Sequence, residues 1–149
     1  MVNLIHSVNF GSLTAATAAS FIVSAIWYGP LFGEYWLEYS HLNRKKLEDY
    51  KNEHKHEKGF LAVLCSFLVA LVISNLQDLL DVKSYCDAAW LAFAIWLGYI
   101  FTTLVGNFLW DITKKQVLFV NLAHQLVNLT VQALIIYFIE DRLPALKLF

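Results

Sequence analysis

Apolar residues run almost unbroken through four stretches of this chain, and polar residues separate them. The stretches cover Val8 to Tyr28, Gly59 to Leu80, Ala88 to Trp110 and Val117 to Ile139. Each comes close to the roughly 20 residues that a helix rising about 1.5 Å per residue needs to cross a hydrocarbon layer. Asp78 is the single Asp, Glu, Lys or Arg within them, and it stands at the end of the second. A soluble bundle would carry a Lys- and Glu-rich stripe on every helix. Residues Phe60 to Ile73 offer only Cys65 and Ser66 as mildly polar positions. The pattern therefore predicts an all-α protein, a four-helix transmembrane bundle. Residues 1–149 read as a single transmembrane domain, with spans at about 8–28, 59–80, 88–110 and 117–139.

The connection between the first two spans, residues 29–58, has a different texture. Trp27, Tyr28 and Trp36 are amphipathic rings suited to the headgroup level, and Pro30 removes a helical hydrogen bond at the end of the first span. Leu31, Phe32, Tyr35, Trp36 and Tyr39 predict an interfacial stretch. Asn43 then reads as a helix cap, with Leu42 and Leu47 as a hydrophobic staple. Glu48 to Lys58 follows as a solvated cytoplasmic helix, and the basic run Arg44 to Lys46 suits anionic lipid.

Composition agrees with this picture. Hydrophobic residues make up 58% and charged residues 15% of the 149, where a soluble domain is about half apolar and about a quarter charged. Mean hydropathy is +0.53. The net charge is −1 and no basic stripe exists, so nucleic acid is not an expected partner. Ala16-Thr17-Ala18 has the small-x-small look of a signal cleavage site. The start of the chain lacks Lys and Arg, however, and His6 and Asn9 interrupt its apolar region, so the segment reads as a permanent span.

Charge placement orients the spans. Arg44, Lys45, Lys46, Lys51, Lys55 and Lys58 lie in the first loop, and Lys114 and Lys115 in the third. The opposite side holds Lys83, Arg142 and Lys147. The positive-inside rule then places loops one and three in the cytoplasm and both termini outside, in a bacterial inner membrane. Cys65 and Cys86 are too distant in sequence and depth to suggest a bridge, and no CxxC pair exists.

The fourth span is the most informative. Asn121, Gln125, Asn128 and Gln132 recur at helical spacing on one face, with His124 beside them. An unpaired amide in hydrocarbon costs several kcal/mol, so this face must meet other helices or water. Two readings stay open: hydrogen-bonded glue between helices, or a polar path or ligand site at the membrane midplane. Asn107 on the third span is a candidate partner for these amides, with Tyr99 and Thr103 on the same face. Gly98, Thr102 and Gly106 form a small-residue row that lets helices approach, as do Gly11, Ala15 and Ala19 on the first span.

No metal site is expected. His124 would need ligands from His6, Asp78 or Asp111, and Glu53, His56 and Glu57 read as a solvated face. Motifs for nucleophilic, nucleotide-binding or metallopeptidase chemistry are missing, so an enzyme is not the expected reading and no cofactor is implied. A weak internal repeat pairs Ala25-Ile26-Trp27-Tyr28-Gly29-Pro30-Leu31-Phe32 with Ala94-Ile95-Trp96-Leu97-Gly98-Tyr99-Ile100-Phe101. Both copies lie on spans running in the same direction, as a duplicated hairpin requires.

Trp27-Tyr28-Gly29-Pro30-Leu31-Phe32-Gly33-Glu34-Tyr35-Trp36 resembles the signature of an uncharacterised bacterial and fungal family of small integral-membrane proteins. Gly106-Asn107, Lys115, Asn121 and His124-Gln125-Leu126 resemble its later motif. The resemblance implies a compact membrane domain and carries over no catalytic residue. Three functions fit the sequence. The first is a scaffold or accessory subunit in a homo-oligomer or larger membrane complex. The second is a pore or carrier for a small polar solute, lined by the fourth span. The third is an intramembrane metal- or ligand-binding protein or enzyme using His124.

Overall fold

A computed structural model describes residues 9–40, 45, 55–110 and 114–142. The Asn43 cap, the Leu42–Leu47 staple and the helix from Glu48 to residue 54 lie outside the described residues, as do His6 and Asp111. Among the described residues, four helices are long and apolar enough to cross a membrane: Phe10–Leu31, Glu57–Leu79, Tyr85–Trp110 and Lys115–Arg142. A short helix, Gly33–Tyr39, follows the first span where the interfacial stretch was expected. No strand occurs among the described residues.

Local chemistry sets the span ends. Asn9 caps the first span, its side-chain oxygen accepting from the N–H groups of Gly11 at 2.9 Å and Ser12 at 3.3 Å. The second span ends in a left-handed residue, Asp81, at φ 52°. The Val82 N–H reaches the Gln77 carbonyl at 3.0 Å and the Asp81 N–H reaches that of Asp78 at 3.3 Å. This is a Schellman closure, built on Asp rather than the usual Gly. Ser84 starts the third span by accepting from the Asp87 N–H at 3.1 Å while donating to its carboxylate at 2.8 Å.

The first span does not stop before Pro30. It passes through the proline as a π-helical turn, Trp27–Leu31, in which the Phe32 N–H bonds the Trp27 carbonyl at 2.8 Å. The wider turn accommodates the ring and the missing N–H. The third span widens in the same way at Trp96–Phe101. Here the Thr102 hydroxyl donates back to the carbonyls of Gly98 and Tyr99 at 2.8 and 3.1 Å, a bond that bends helices. The two octapeptides that resemble each other in sequence thus share a π turn that begins at the same tryptophan, Trp27 in one and Trp96 in the other.

The fourth span is the centre of the bundle. It packs along the first and third and touches the second, while the second and third barely meet. The core is built from Leu13 and Ala16, Ala70 and Ile73, Ala92, and Leu129, Ala133 and Ile136. The alanines let backbones approach closely. On the first span the buried row is Ser12, Leu13, Ala16, Thr17 and Ser20, beside the expected row of Gly11, Ala15 and Ala19. On the second span no residue from Glu57 to Val69 is buried, whereas Ala70, Ile73 and Ser74 are. The tight packing therefore lies towards the Glu140 end, and the helices part towards the Trp27 end.

The surface is apolar: Phe60, Trp90, Leu109 and Phe119 are each about two-thirds exposed. The interior meanwhile contains Ser12, Thr17, Ser20, Ser74, Gln77, His124 and Gln132. An apolar surface around a core that holds polar groups among its apolar residues is unlike a water-soluble bundle, whose outer faces are polar. It fits an integral membrane protein with lipid-facing helices.

Candidate functional site, a polar cavity at mid-depth

Where the second span parts from the bundle, a cavity of about 290 Å³ remains. Ser20, Phe21 and Ser24 of the first span line it, with Ala62, Cys65, Ser66 and Val69 of the second. Ile100 closes one wall from the third span, within its π turn. The fourth span contributes Gln125, Asn128, Leu129 and Gln132. These positions lie near the middle of their spans, far from either end of the bundle. Phe21, Ala62, Cys65 and Val69 are also exposed on the outside, so the mouth opens between the first and second spans.

Three of the residues that line this cavity carry a polar side-chain atom buried without a hydrogen-bond partner: Ser66 Oγ, Asn128 Oδ1 and Gln132 Oε1. Gln132 is only 2% exposed. Such atoms are rare in native interiors, and each costs free energy unless something fills the space beside it.

Next to the cavity, towards the Trp27 end, lies His124. Its Nε2 stands 3.0 Å from Ser24 Oγ, so one serine belongs to both places. The Tyr28 and Trp27 rings cover the imidazole at centroid distances of 4.7 and 5.9 Å. The Tyr28 hydroxyl donates to Asn121 Oδ1 at 2.9 Å. From the other flank the Trp96 indole N–H donates to the Leu122 carbonyl at 2.9 Å. The two π turns thus present their tryptophans to the same turn of the fourth span, Trp27 at His124 and Trp96 at Leu122. In the collar around Tyr28, the indole nitrogens of Trp27 and Trp36 are buried and unpartnered, with Trp36 edge-on to Tyr28 at 6.1 Å.

The structure divides the residues singled out in the sequence. Gln125, Asn128 and Gln132 share the cavity, and Asn121 and His124 share the aromatic collar with Trp27 and Tyr28. Tyr99, Thr103 and Asn107 are exposed on the third span and line neither place; none reaches the amides of the fourth span. Gly98 and Thr102 are exposed beside them, and a side chain on Gly98 or Gly106 would meet open space. Among the described residues no group of three His, Cys, Asp or Glu side chains could hold a metal ion. Both cysteines are free thiols.

One carboxylate escapes sequence reasoning. Glu140, just beyond the expected fourth span, accepts from Ser12 Oγ at 2.9 Å and Ser74 Oγ at 3.0 Å. A single oxygen thereby ties the first, second and fourth spans at their tightly packed end. Nearby, Gln77 Nε2 donates to the Ala133 carbonyl at 2.8 Å. Glu140 stands beside Asp141 and Arg142, so in sequence it looks like part of a solvated terminus. Only its partners on two other spans distinguish it.

The chain belongs to the family described as "Protein of unknown function (DUF1761)", whose model matches residues 12–137. The match takes in the π turn at Trp27, the cavity and the collar around His124. No curated protein and no solved structure matches the chain.

Proposed function

We propose that this member of a family of unknown function is a small membrane pore or carrier that holds a polar solute in the cavity beside its fourth span. The observation that carries the reading is the set of unpartnered polar atoms on residues that line that cavity, Ser66 Oγ, Asn128 Oδ1 and Gln132 Oε1. Interhelical glue would have consumed these groups in bonds between spans, as Gln77 is consumed by Ala133. At roughly 30 Å³ per water molecule, the space admits several waters or one small solute. With loops one and three in the cytoplasm, the His124 collar lies on the cytoplasmic side of the cavity and Glu140 near the opposite face. No reaction centre enters this reading.

The test uses a native thiol. In a Cys86→Ser background, Cys65 is the sole cysteine and lines the cavity. A small, uncharged, water-soluble methanethiosulfonate reagent attacks the thiolate, which forms only where water reaches the thiol. Labelling of Cys65, and of Asn128→Cys in a cysteine-free background, is the expected result in folded protein. Silence at both positions means a dry cavity and sinks the proposal.

A second reading draws on a separate observation. Gly98, Tyr99, Thr102, Thr103 and Asn107 form an uncovered face of the third span, and an amide facing lipid is costly. Assembly through this face, as a homo-oligomer or accessory subunit, would cover Asn107. Gly98→Ile would then disperse the assembly while leaving the single chain folded, which native mass spectrometry reads directly.

A further inference from the structure

Taking the solute-binding reading as its premise, the chemistry of the cavity narrows the solute. No Asp, Glu, Lys, Arg or His lines it. The nearest titratable ring, His124, is 94% buried and already has Ser24 against its Nε2. An ion placed here would lose its hydration and find no opposite charge, which is prohibitive in a low-dielectric interior. The polar wall is instead made of carboxamides and hydroxyls. Gln125, Asn128 and Gln132 each carry both a C=O acceptor and an NH2 donor. Ser66 adds a hydroxyl that donates and accepts, and it too has no partner. The remaining wall of Phe21, Val69, Ile100 and Leu129 is apolar and excludes a large hydrated species.

We propose that the cavity takes a small uncharged molecule bearing both hydrogen-bond donors and acceptors, of the urea or polyol kind, and rejects ions of either sign. Such a solute satisfies the carboxamides at both ends and leaves no buried charge behind. Amide or polyol is a choice the wall leaves open, because either presents the same paired donors and acceptors.

Urea, glycerol, methylammonium chloride and sodium acetate serve as probes of the full chain in proteoliposomes. Two quantities are read: solute-driven volume change by stopped-flow light scattering, and protection of Cys65 from a thiol reagent in the Cys86→Ser protein. Urea or glycerol is expected to protect Cys65 and to enter faster than into protein-free vesicles, with both salts inert. Gln132→Leu should weaken protection about tenfold, as for the loss of one hydrogen bond. Ser66→Ala is the second variant, should Gln132→Leu fail to fold. If the salts protect or permeate while the neutral probes do not, the solute class is overturned and the cavity reading stands. If Cys65 is labelled but no probe protects it or permeates, the solute class is likewise overturned. If Cys65 is never labelled, the cavity reading falls first.

Discussion

Ser24 Oγ and His124 Nε2 meet at 3.0 Å across the contact between the first and fourth spans. The same hydroxyl donates to the Ser20 carbonyl at 2.9 Å. A serine has one proton to give, so with that proton on Ser20 its oxygen accepts from the ring. His124 is therefore expected to carry hydrogen on Nε2. Nitrogen-15 NMR of labelled histidine reads the tautomer, and a bare Nε2 would refute the assignment. Ser24→Ala leaves the ring N–H unpaired at a buried site, with an expected loss of about 1–3 kcal/mol in thermal unfolding.

Glu140 should behave as a structural tie. Glu140→Leu strands the buried Ser74 hydroxyl and leaves Ser12 only the Asn9 carbonyl, at 2.8 Å, to donate to; it is expected to cost about 1–3 kcal/mol. Glu140→Gln keeps a carbonyl acceptor and should cost less. Ser12→Ala and Ser74→Ala share one acceptor oxygen, so their effects should be non-additive in a double-mutant cycle. Additivity within about 0.5 kcal/mol would show that the tie is not shared.

Gly33 is the glycine that the signature motif needs for space. A Cβ there would collide with the Tyr28 carbonyl, whereas one on Gly29 would meet nothing. Gly33→Ala must move the chain beneath Tyr28 and is expected to cost about 1–3 kcal/mol, in line with overpacking. It should also weaken the Tyr28–His124 contact, visible as a shift of the histidine ring resonances. Gly29→Ala should leave stability unchanged or slightly raised. Equal effects from the two substitutions would remove Gly33 from this role.

Asp81 holds the left-handed position that closes the second span. Glycine adopts that conformation without steric penalty, so Asp81→Gly is expected to stabilise by about 0.5–1 kcal/mol. The change deletes the ion pair with Lys83, but both side chains are 75% exposed and the pair is screened by solvent. The Asp81 carboxylate, bonded to the ammonium, raises Lys83 above its ordinary value. What the pair adds is therefore present below the ordinary lysine range and lost as pH climbs through the raised value. Wild type and Asp81→Gly should accordingly show parallel melting profiles from neutral pH to about 9. A divergence in that window would mean the pair contributes more than its exposure allows.

Much of the site was legible as residues but not as a place. The spacing of Gln125, Asn128 and Gln132 puts them on one face in any α-helix, so their common wall follows from helical geometry alone. Their missing partners do not. Asn107 looked equally available to bond them, yet the third span turns it outwards. Ser24 and Ser66 are unremarkable in sequence because serine is common in membrane helices as a bond to its own backbone, as Ser24 makes to Ser20. Cys65 gained its interest only from the helix that parts beside it. The π turn at Trp96 had no proline to announce it, only Gly98 and its likeness to the Trp27 segment.

The sequence by itself determined the number, length and apolar surface of the spans, because hydropathy along a segment is a property of that segment alone. Two helix starts are likewise local in origin, because Asn9 and Ser84 act on backbone groups two or three residues away. Only the tertiary structure decided which polar groups are spent and which are left over. A hydrogen bond between spans depends on relative depth and rotation, and those follow from how small residues such as Ala16, Ala70, Ala92 and Ala133 nest together. That nesting closes one half of the bundle over Glu140 and leaves the other half open beside Gln132.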